Sequence, residues 1–545
     1  MKRALRFFGP PLLLGKLTET VRDLYGGDMA LYLEMPMLYR SATVESLTYR
    51  ELHDFTVRFA GVLAAKGVTP GQRVVVATSN RIDLFLLCLA IMRLGAIAVP
   101  LNHRLRSDEI VYVIGSCAAE TLILDPAVHV RAFGGEWPVR CPERVLFAGP
   151  AYEAPEEAVS IDAALGHDVR DAPSAPIRPD DACAILYTSG TSGLPRGVVH
   201  TSASLLAQLR FGLLCPRSAS NLIVVSLPLA HIMGLTAMLM PLIAGVPISF
   251  LDEFSATKVL DAIQRRRASM FVGVPTMYQL LVEAEPDRFD LTTVRIWISA
   301  ADAMPERLIS EFRRRGAFWR VSRWHTSALF VDVYGSVELG GAVMARVFMS
   351  RPRTGASPLG IMLPGCRVRI LDETGRKVPC GSVGELSVRS PSSFRGYVND
   401  PESTPHHLGW VQTGDLARQT RAGFVHFVAR GTDLIKTGGY SVYPAEIERV
   451  LLQHADVELA VAFGLPDPLK AETPAAVVAL FDGSQLTGEQ LVAFARARLA
   501  DYKAPRYVFV LRSTDIPVGR TGKISRSALA ALLGGHVGRT HPPRP

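Results

Sequence analysis

The chain has 545 residues and carries 59 basic against 51 acidic side chains, a formal charge of +8. That length is too great for one hydrophobic core, so at least two domains are expected. With 48% apolar and 20% charged residues, a disordered chain is excluded. The basic residues are scattered rather than gathered in a stripe, which argues against nucleic acid and suits anionic substrates or a membrane surface.

In chain order, the first seventeen residues (MKRALRFFGPPLLLGKL) begin like a secretory signal, basic and then apolar. The Pro10-Pro11 pair breaks any helix there and no small-residue cleavage site follows. A packed or frayed terminus is expected, with a peripheral membrane-touching arm as the alternative. Short apolar runs then alternate with helical patterns: strand Arg73–Thr78, helix Ile82–Leu94, and strands Ile97–Val99, Thr121–Leu124, Cys183–Thr188, Leu222–Ser226, Met270–Gly273 and Val294–Ser299. Such alternation predicts an α/β fold, a large N-terminal domain of layered, mostly parallel sheets covered by helices. Ligands of such sheets sit beyond the carboxyl ends of the strands. The apolar run Leu235–Leu251 contains Pro241, Gly245 and Pro247 and reads as buried core, not as a membrane span. Seven widely spaced cysteines without a CxxC pair give neither a disulfide framework nor a zinc site and fit a reducing, cytoplasmic compartment.

From about Val368 the texture changes to short strands and Gly-rich turns, a small β-rich subdomain over about 366–431 that closes a large domain of residues 1–431. A small α+β domain is expected over 432–533, mobile if the resemblance stated below holds: helix Pro444–Gln453, strands Val457–Phe463 and Ala475–Leu480, helix Gly488–Leu499 and strand Tyr507–Leu511. The Gly-, Pro- and Arg-rich residues 534–545 are expected to be a disordered tail.

The strongest local signal is Tyr187-Thr188-Ser189-Gly190-Thr191-Ser192-Gly193-Leu194-Pro195-Arg196-Gly197, directly after a predicted strand. Glycines let backbone amides turn toward an anion, hydroxyls add donors, and Arg196 adds charge. Without a Gly-Lys-Ser/Thr ending it is not a Walker loop. Taken alone, such a turn suits a surface loop as well as a phosphate cradle. Its company is more specific. Pro228-Leu229-Ala230-His231 is followed by Tyr334-Gly335-Ser336-Val337-Glu338, by Gly414-Asp415, by Arg430-Gly431-Thr432-Asp433 through Lys436, by Gly438-Gly439-Tyr440, and by Gly519-Arg520-Thr521-Gly522-Lys523. This ordered series resembles the adenylate-forming superfamily of acyl-CoA synthetases, nonribosomal adenylation domains and beetle luciferases, from about Leu47 to Arg526.

The resemblance implies a chemistry for each position. The loop Thr188, Ser189, Gly190, Thr191, Ser192, Gly193, Arg196 and Gly197 would hold the ATP phosphates, with Arg196 where the family usually has lysine. Asp332, Tyr334, Gly335 and Ser336 would surround the adenylate, the Tyr334 ring stacking on adenine. Glu338 would reach Mg²⁺, while Asp415 and Arg430 would take the ribose. Lys523 would follow charge from the attacking carboxylate to the α-phosphate. His231, Val274, Ala300 and Ala301 would line the acyl pocket, and Lys436, Gly438 and Gly439 the path of coenzyme A. Each has a plainer alternative: His231 as a core histidine, Tyr334 as ordinary core, Glu338 as a solvated acid and Asp415 as a turn residue.

The implied reaction joins a small carboxylic acid, fatty or otherwise apolar, to coenzyme A through an acyl-AMP. A carrier protein as acceptor and a non-catalytic adenylate-binding protein are the alternatives. Departures from the family pattern are Val337 in place of the usual threonine, Thr432 at the usual Asp or Lys pivot, Ala300 and Ala301 where glycines are usual, and a longer link over Phe318–Val331. A serine hydrolase is disfavoured, because no G-x-S-x-G elbow occurs.

Overall fold

In the computed structural model, residues 2–39, 42–136, 142–149, 159–165, 172–189, 195–215, 217–218, 220–302, 304–321, 324–348, 359–398, 400, 406–407, 409–437, 440–467, 469–517 and 526–540 are described. They fall into two compact units. The first comprises 1–355, 360–367 and 389–411, and the second 356–359, 368–388 and 412–545.

The first unit is organised around two sheets. Five short strands, Leu329–Ser336, Ile296–Ala300, Met270–Gly273, Ile223–Val225 and Ile248–Phe250, lie side by side in that order and run parallel. Runs such as Ile-Val-Val suit strands buried on both faces, because a parallel sheet has no solvated side. Gly341–Phe348 then turns back antiparallel to Leu329–Ser336. The second sheet carries Thr121–Leu124, Arg73–Ala77, Ile97–Pro100 and Ala182–Ser189 in parallel, with Pro195–Thr201 folding back antiparallel. Helix Ile82–Arg93 touches strands of both sheets and is buried along its whole length. A helix apolar on all sides has no other stable place.

Below the first sheet an aromatic cluster forms the core. Tyr278, Trp297, Phe312, Phe330 and Phe271 pack edge to face or tilted, with ring centroids 5.0–6.2 Å apart. The Tyr278 hydroxyl donates to the Ile298 carbonyl at 2.8 Å, so its burial leaves no unmet donor. Truncating one such aromatic to alanine costs about 3–5 kcal/mol.

The second unit contains the strands Arg367–Leu371, Val383–Arg389, Trp410–Gln419 and Val425–Arg430 as neighbours. It also contains the hairpin Val457–Asp467 with Ala471–Leu480, against which Tyr507–Val510 runs parallel. Helices Pro444–Leu451 and Gly488–Arg496 cover that hairpin through Ile447, Leu451 and Leu491.

The predicted strands and helices of the first unit are found within a residue or two of their expected ends. In the second unit the paired strands run four residues longer, Val457–Asp467 and Ala471–Leu480, and the helix Gly488–Arg496 stops three residues earlier. Leu235–Leu251 resolves into helix Ile232–Ala244, capped by left-handed Gly245, and the strand Ile248–Phe250. Among the described residues no helix is long and apolar enough to cross a membrane. The N-terminus is packed: Arg3 donates to the carbonyls of Gly212 and Cys215 at 2.8 and 3.0 Å, and the Phe7 ring lies 5.4 Å from Phe211. The long link is a hairpin, Ala317–Val321 with Trp324–Ser327. The tail expectation is corrected in part, since residues 526–540 are helical. Leu529 and Leu533 bury against the Val457–Asp467 hairpin, and the Ala/Leu-rich run before Gly534 propagates the helix. Arg526 fastens its start, donating to Asp433, Glu448 and the Ala462 carbonyl at 3.0, 2.8 and 3.1 Å.

Candidate functional site

Four predicted acyl-pocket residues stand at the carboxyl ends of neighbouring parallel strands in the first unit. His231 follows Ile223–Val225, Val274 follows Met270–Gly273, and Ala300 ends its own strand with Ala301 next. His231 also caps helix Ile232–Ala244, its Nδ1 accepting from the Met233 amide at 3.3 Å. That contact fixes the ring's direction and makes Nε2 the protonated nitrogen of the neutral imidazole. Ala301 has φ +80°, a conformation in which a Cβ is strained and glycine is at ease. This explains physically why glycine is usual at that position.

Asp332, Tyr334 and Ser336 alternate onto one face of Leu329–Ser336. The Asp332 carboxylate pairs with Arg346 at 3.1 Å across to the next strand. Burial outweighs that partner and pushes the Asp332 carboxyl up to about 6; the same burial lowers Arg346. Oδ1 of Asp332 is buried without a hydrogen-bond partner, so it offers an acceptor to an amine such as that of adenine. Gly335 lies so close to the Gly341 carbonyl that a Cβ would collide with it.

The phosphate-loop hairpin brings Thr188 opposite Arg196. Beside it, residues 390–398 lace two parts of the site together. Val398 and Arg395 amides donate to Gly197 and Val199 carbonyls at 2.8 and 2.9 Å, while the Phe394 amide donates to the Glu338 carbonyl at 2.8 Å. Gly197 is needed there, since a Cβ would stand 2.9 Å from both Tyr187 and Val398. From this segment the Tyr397 hydroxyl donates to Oε1 of Glu338 at 3.2 Å. The Arg196 guanidinium lies 5.5 Å from the centroid of the Tyr397 ring. Arg196, Tyr397 and Glu338 therefore form one chain of contacts. The half-buried Glu338 is a suitable donor for Mg²⁺. Among the described residues no group of three His, Cys, Asp or Glu is placed to hold a metal ion.

Val337 turns its side chain inward, 6% exposed, and its carbonyl accepts from Nε2 of His200 at 2.9 Å. Burial lowers His200 to about 4, so it is neutral at pH 7, with Nδ1 facing Ser204 at 3.2 Å. Sequence reading missed Tyr397, His200 and Arg346. An aromatic after Arg395-Gly396 is the one local signal that could have marked Tyr397.

In the second unit, Asp415 is buried and sits opposite Arg430 across paired strands, with an ion pair of 3.1 Å. The Thr413 hydroxyl holds the turn, accepting from the Asp415 amide at 3.2 Å and donating to the Leu386 carbonyl at 2.8 Å. Lys436 is exposed and its amide donates to Glu472 at 2.7 Å. Ser189 is placed as strand backbone. Gly190, Thr191, Ser192, Gly193, Gly438, Gly439 and Lys523 lie outside the described residues.

Comparison with known proteins shows the family. Residues 29–398 match the family model of the AMP-binding enzymes and residues 446–523 that of the AMP-binding enzyme C-terminal domain. A feruloyl-CoA synthase of Amycolatopsis sp is 32% identical over 90% of this chain and 94% of its own. A medium-chain fatty-acid–CoA ligase of Escherichia coli is 28% identical over 89% and 85%. The structure of ATP-bound MatB from Rhodopseudomonas palustris superposes with a TM-score of 0.78 at 26% identity, covering 95% of this chain and 99% of that one.

Proposed function

Because the chain belongs to the AMP-binding enzymes, acid–thiol ligases that consume ATP and coenzyme A, we propose that it activates an apolar carboxylic acid as an acyl-adenylate and passes the acyl group to coenzyme A. A carboxylate oxygen attacks the α-phosphorus of ATP and pyrophosphate leaves. The coenzyme A sulfur then attacks the acyl carbonyl and AMP leaves. Activation is needed because resonance and negative charge make a carboxylate a poor electrophile.

The observation that carries this reading is the chain Arg196–Tyr397–Glu338 beside the phosphate-loop hairpin. Arg196 would hold the terminal phosphates with the loop amides and hydroxyls. A bound Mg²⁺ would supply charge neutralisation on those phosphates, and Glu338 is the residue to hold it. Asp332 and Tyr334 would take the adenine, Asp415 and Arg430 the ribose, and Lys523 the charge developing at the α-phosphate. His231, Val274, Ala300 and Ala301 would shape the acyl pocket, and Lys436, Gly438 and Gly439 the thiol path. The boundary at 431/432 would serve as the pivot between the half-reactions.

The methyls of Ala300 and Ala301 narrow the strand ends where glycines are usual, which favours a flat or short acid over a long flexible chain. The feruloyl-CoA relative supports an aryl-bearing acid within the apolar class. The test is AMP release from ATP and Mg²⁺ over a panel of aromatic and fatty acids, with and without coenzyme A. Cinnamic-type acids are expected to exceed fatty acids longer than about ten carbons in kcat/KM; the reverse order refutes the narrowed pocket.

A further inference from the structure

At the end of the first sheet opposite the catalytic strand ends lies a cavity of about 650 Å³. It opens where Ile223–Val225, Met270–Gly273 and Ile296–Ala300 begin, and the inserted hairpin forms one wall. Its lining includes Arg266, Arg267, Arg295, Thr293, Phe318 and Trp319, and no carboxylate. Nearby acids are already engaged: Glu34 accepts from Ser249, Arg265 and Arg266, and Asp290 from Thr292.

Two of the cations are placed by other contacts, and Arg267 caps the C-terminus of helix Ala256–Arg266. Arg266 lies 4.3 Å from the Tyr32 ring centroid, and Arg295 donates to the Ser220 hydroxyl at 3.0 Å. Arg267 sits in the left-handed region at φ +52°, a conformation that costs about 1 kcal/mol or more for a residue with a Cβ. Arg266 is paired with Glu34 at 3.2 Å, which leaves the guanidiniums of Arg267 and Arg295 on the cavity wall to repel each other unless an anion joins them. Trp319 and Phe318 are 55% and 46% exposed on the same wall, apolar area that a planar ring would cover. The cleft is partly open, and its volume lies in the range of small-molecule sites.

We propose that this cleft binds a nucleoside phosphate, its phosphate on Arg267 and Arg295 and its base on Trp319, at a site separate from the catalytic nucleotide site. The probe is AMP, titrated calorimetrically into the full-length enzyme. Two AMP per chain are expected, falling to one in Arg267→Glu/Arg295→Glu. Trp319→Ala should weaken the second site about tenfold, the range for lost base stacking. Raising salt should weaken it further. Adenosine alone and pyrophosphate alone should each bind at least tenfold more weakly than AMP. Ligase turnover at saturating substrates should be unchanged in these variants, which also shows that they fold. One AMP per chain in the wild type, or two retained in the double arginine variant, overturns the proposal. Equal binding of pyrophosphate and AMP overturns the role of Trp319.

Discussion

Removing the hydroxyl of Tyr397 tests whether Arg196 and Glu338 work as one unit, as the proposed phosphate and Mg²⁺ roles require. In Tyr397→Phe the ring stays, so the contact with Arg196 at 5.5 Å, worth about 0.5–1 kcal/mol, is kept. The hydrogen bond to Glu338 at 3.2 Å is lost. Hydrogen bonds to charged groups contribute about 1.5–3 kcal/mol, and half-burial with competing water reduces that to about 1–2. A loss of that size is roughly 5- to 30-fold in kcat/KM for adenylation, read by acid-dependent ATP–pyrophosphate exchange. Tyr397→Leu removes the ring as well and should fall about threefold further. In the Leu background Arg196→Lys should cost less than in the wild type, because the stacked partner that favours a planar guanidinium is gone. Tyr397→Phe within twofold of wild type, or strict additivity with Arg196→Lys, would refute the coupling.

Three further outcomes are expected. Ala301→Gly should raise stability to urea by about 0.5–1 kcal/mol, since it relieves φ +80° at a small entropic cost; a loss of stability would show that the strain is not there. His200 titrates near 4 when folded and near 6.5 when unfolded, so only the unfolded state gains a proton between those values. Its contribution to stability is therefore full above pH 6.5 and declines toward pH 4 by about 1.4 kcal/mol per unit, and in His200→Gln this part of the slope should vanish. Asp415→Asn should raise KM for ATP about tenfold with a smaller change in kcat, the split expected of a group that binds ribose rather than the reacting atoms; an unchanged KM would remove Asp415 from the nucleotide site.

Much of the fold was legible because buried parallel strands have a local signature: three to five apolar residues, then a turn, then a helical pattern. Ile223–Val225 and Met270–Gly273 are of this kind. Candidate site residues could be named from sequence where glycine and polar side chains concentrate in short motifs, as at Thr188–Arg196 and Tyr334–Glu338. The site was opaque where function depends on contacts distant in sequence. Tyr397 reaches Glu338 across 59 positions, and His200 reaches Val337 across 137. Nor could spacing reveal that Ala301 occupies a left-handed conformation, or that Asp332 is opposed by Arg346 on the returning strand. The helix over 526–540 was not anticipated because the Gly-, Pro- and Arg-rich composition of 534–545 reads as a disordered tail, whereas Leu529 and Leu533 bury in the core of the second unit.

The central claim is two-step chemistry through an acyl-adenylate, and it is tested most directly by measuring AMP and pyrophosphate release with a panel of acids, with and without coenzyme A, beside Lys523→Ala. Acid-dependent ATP–pyrophosphate exchange, with net AMP formation that requires coenzyme A and exchange lost in Lys523→Ala, is the expected result. Pyrophosphate release without thioester would move the acyl acceptor from coenzyme A to a carrier protein. No acid-dependent exchange anywhere on the panel would contradict the assignment.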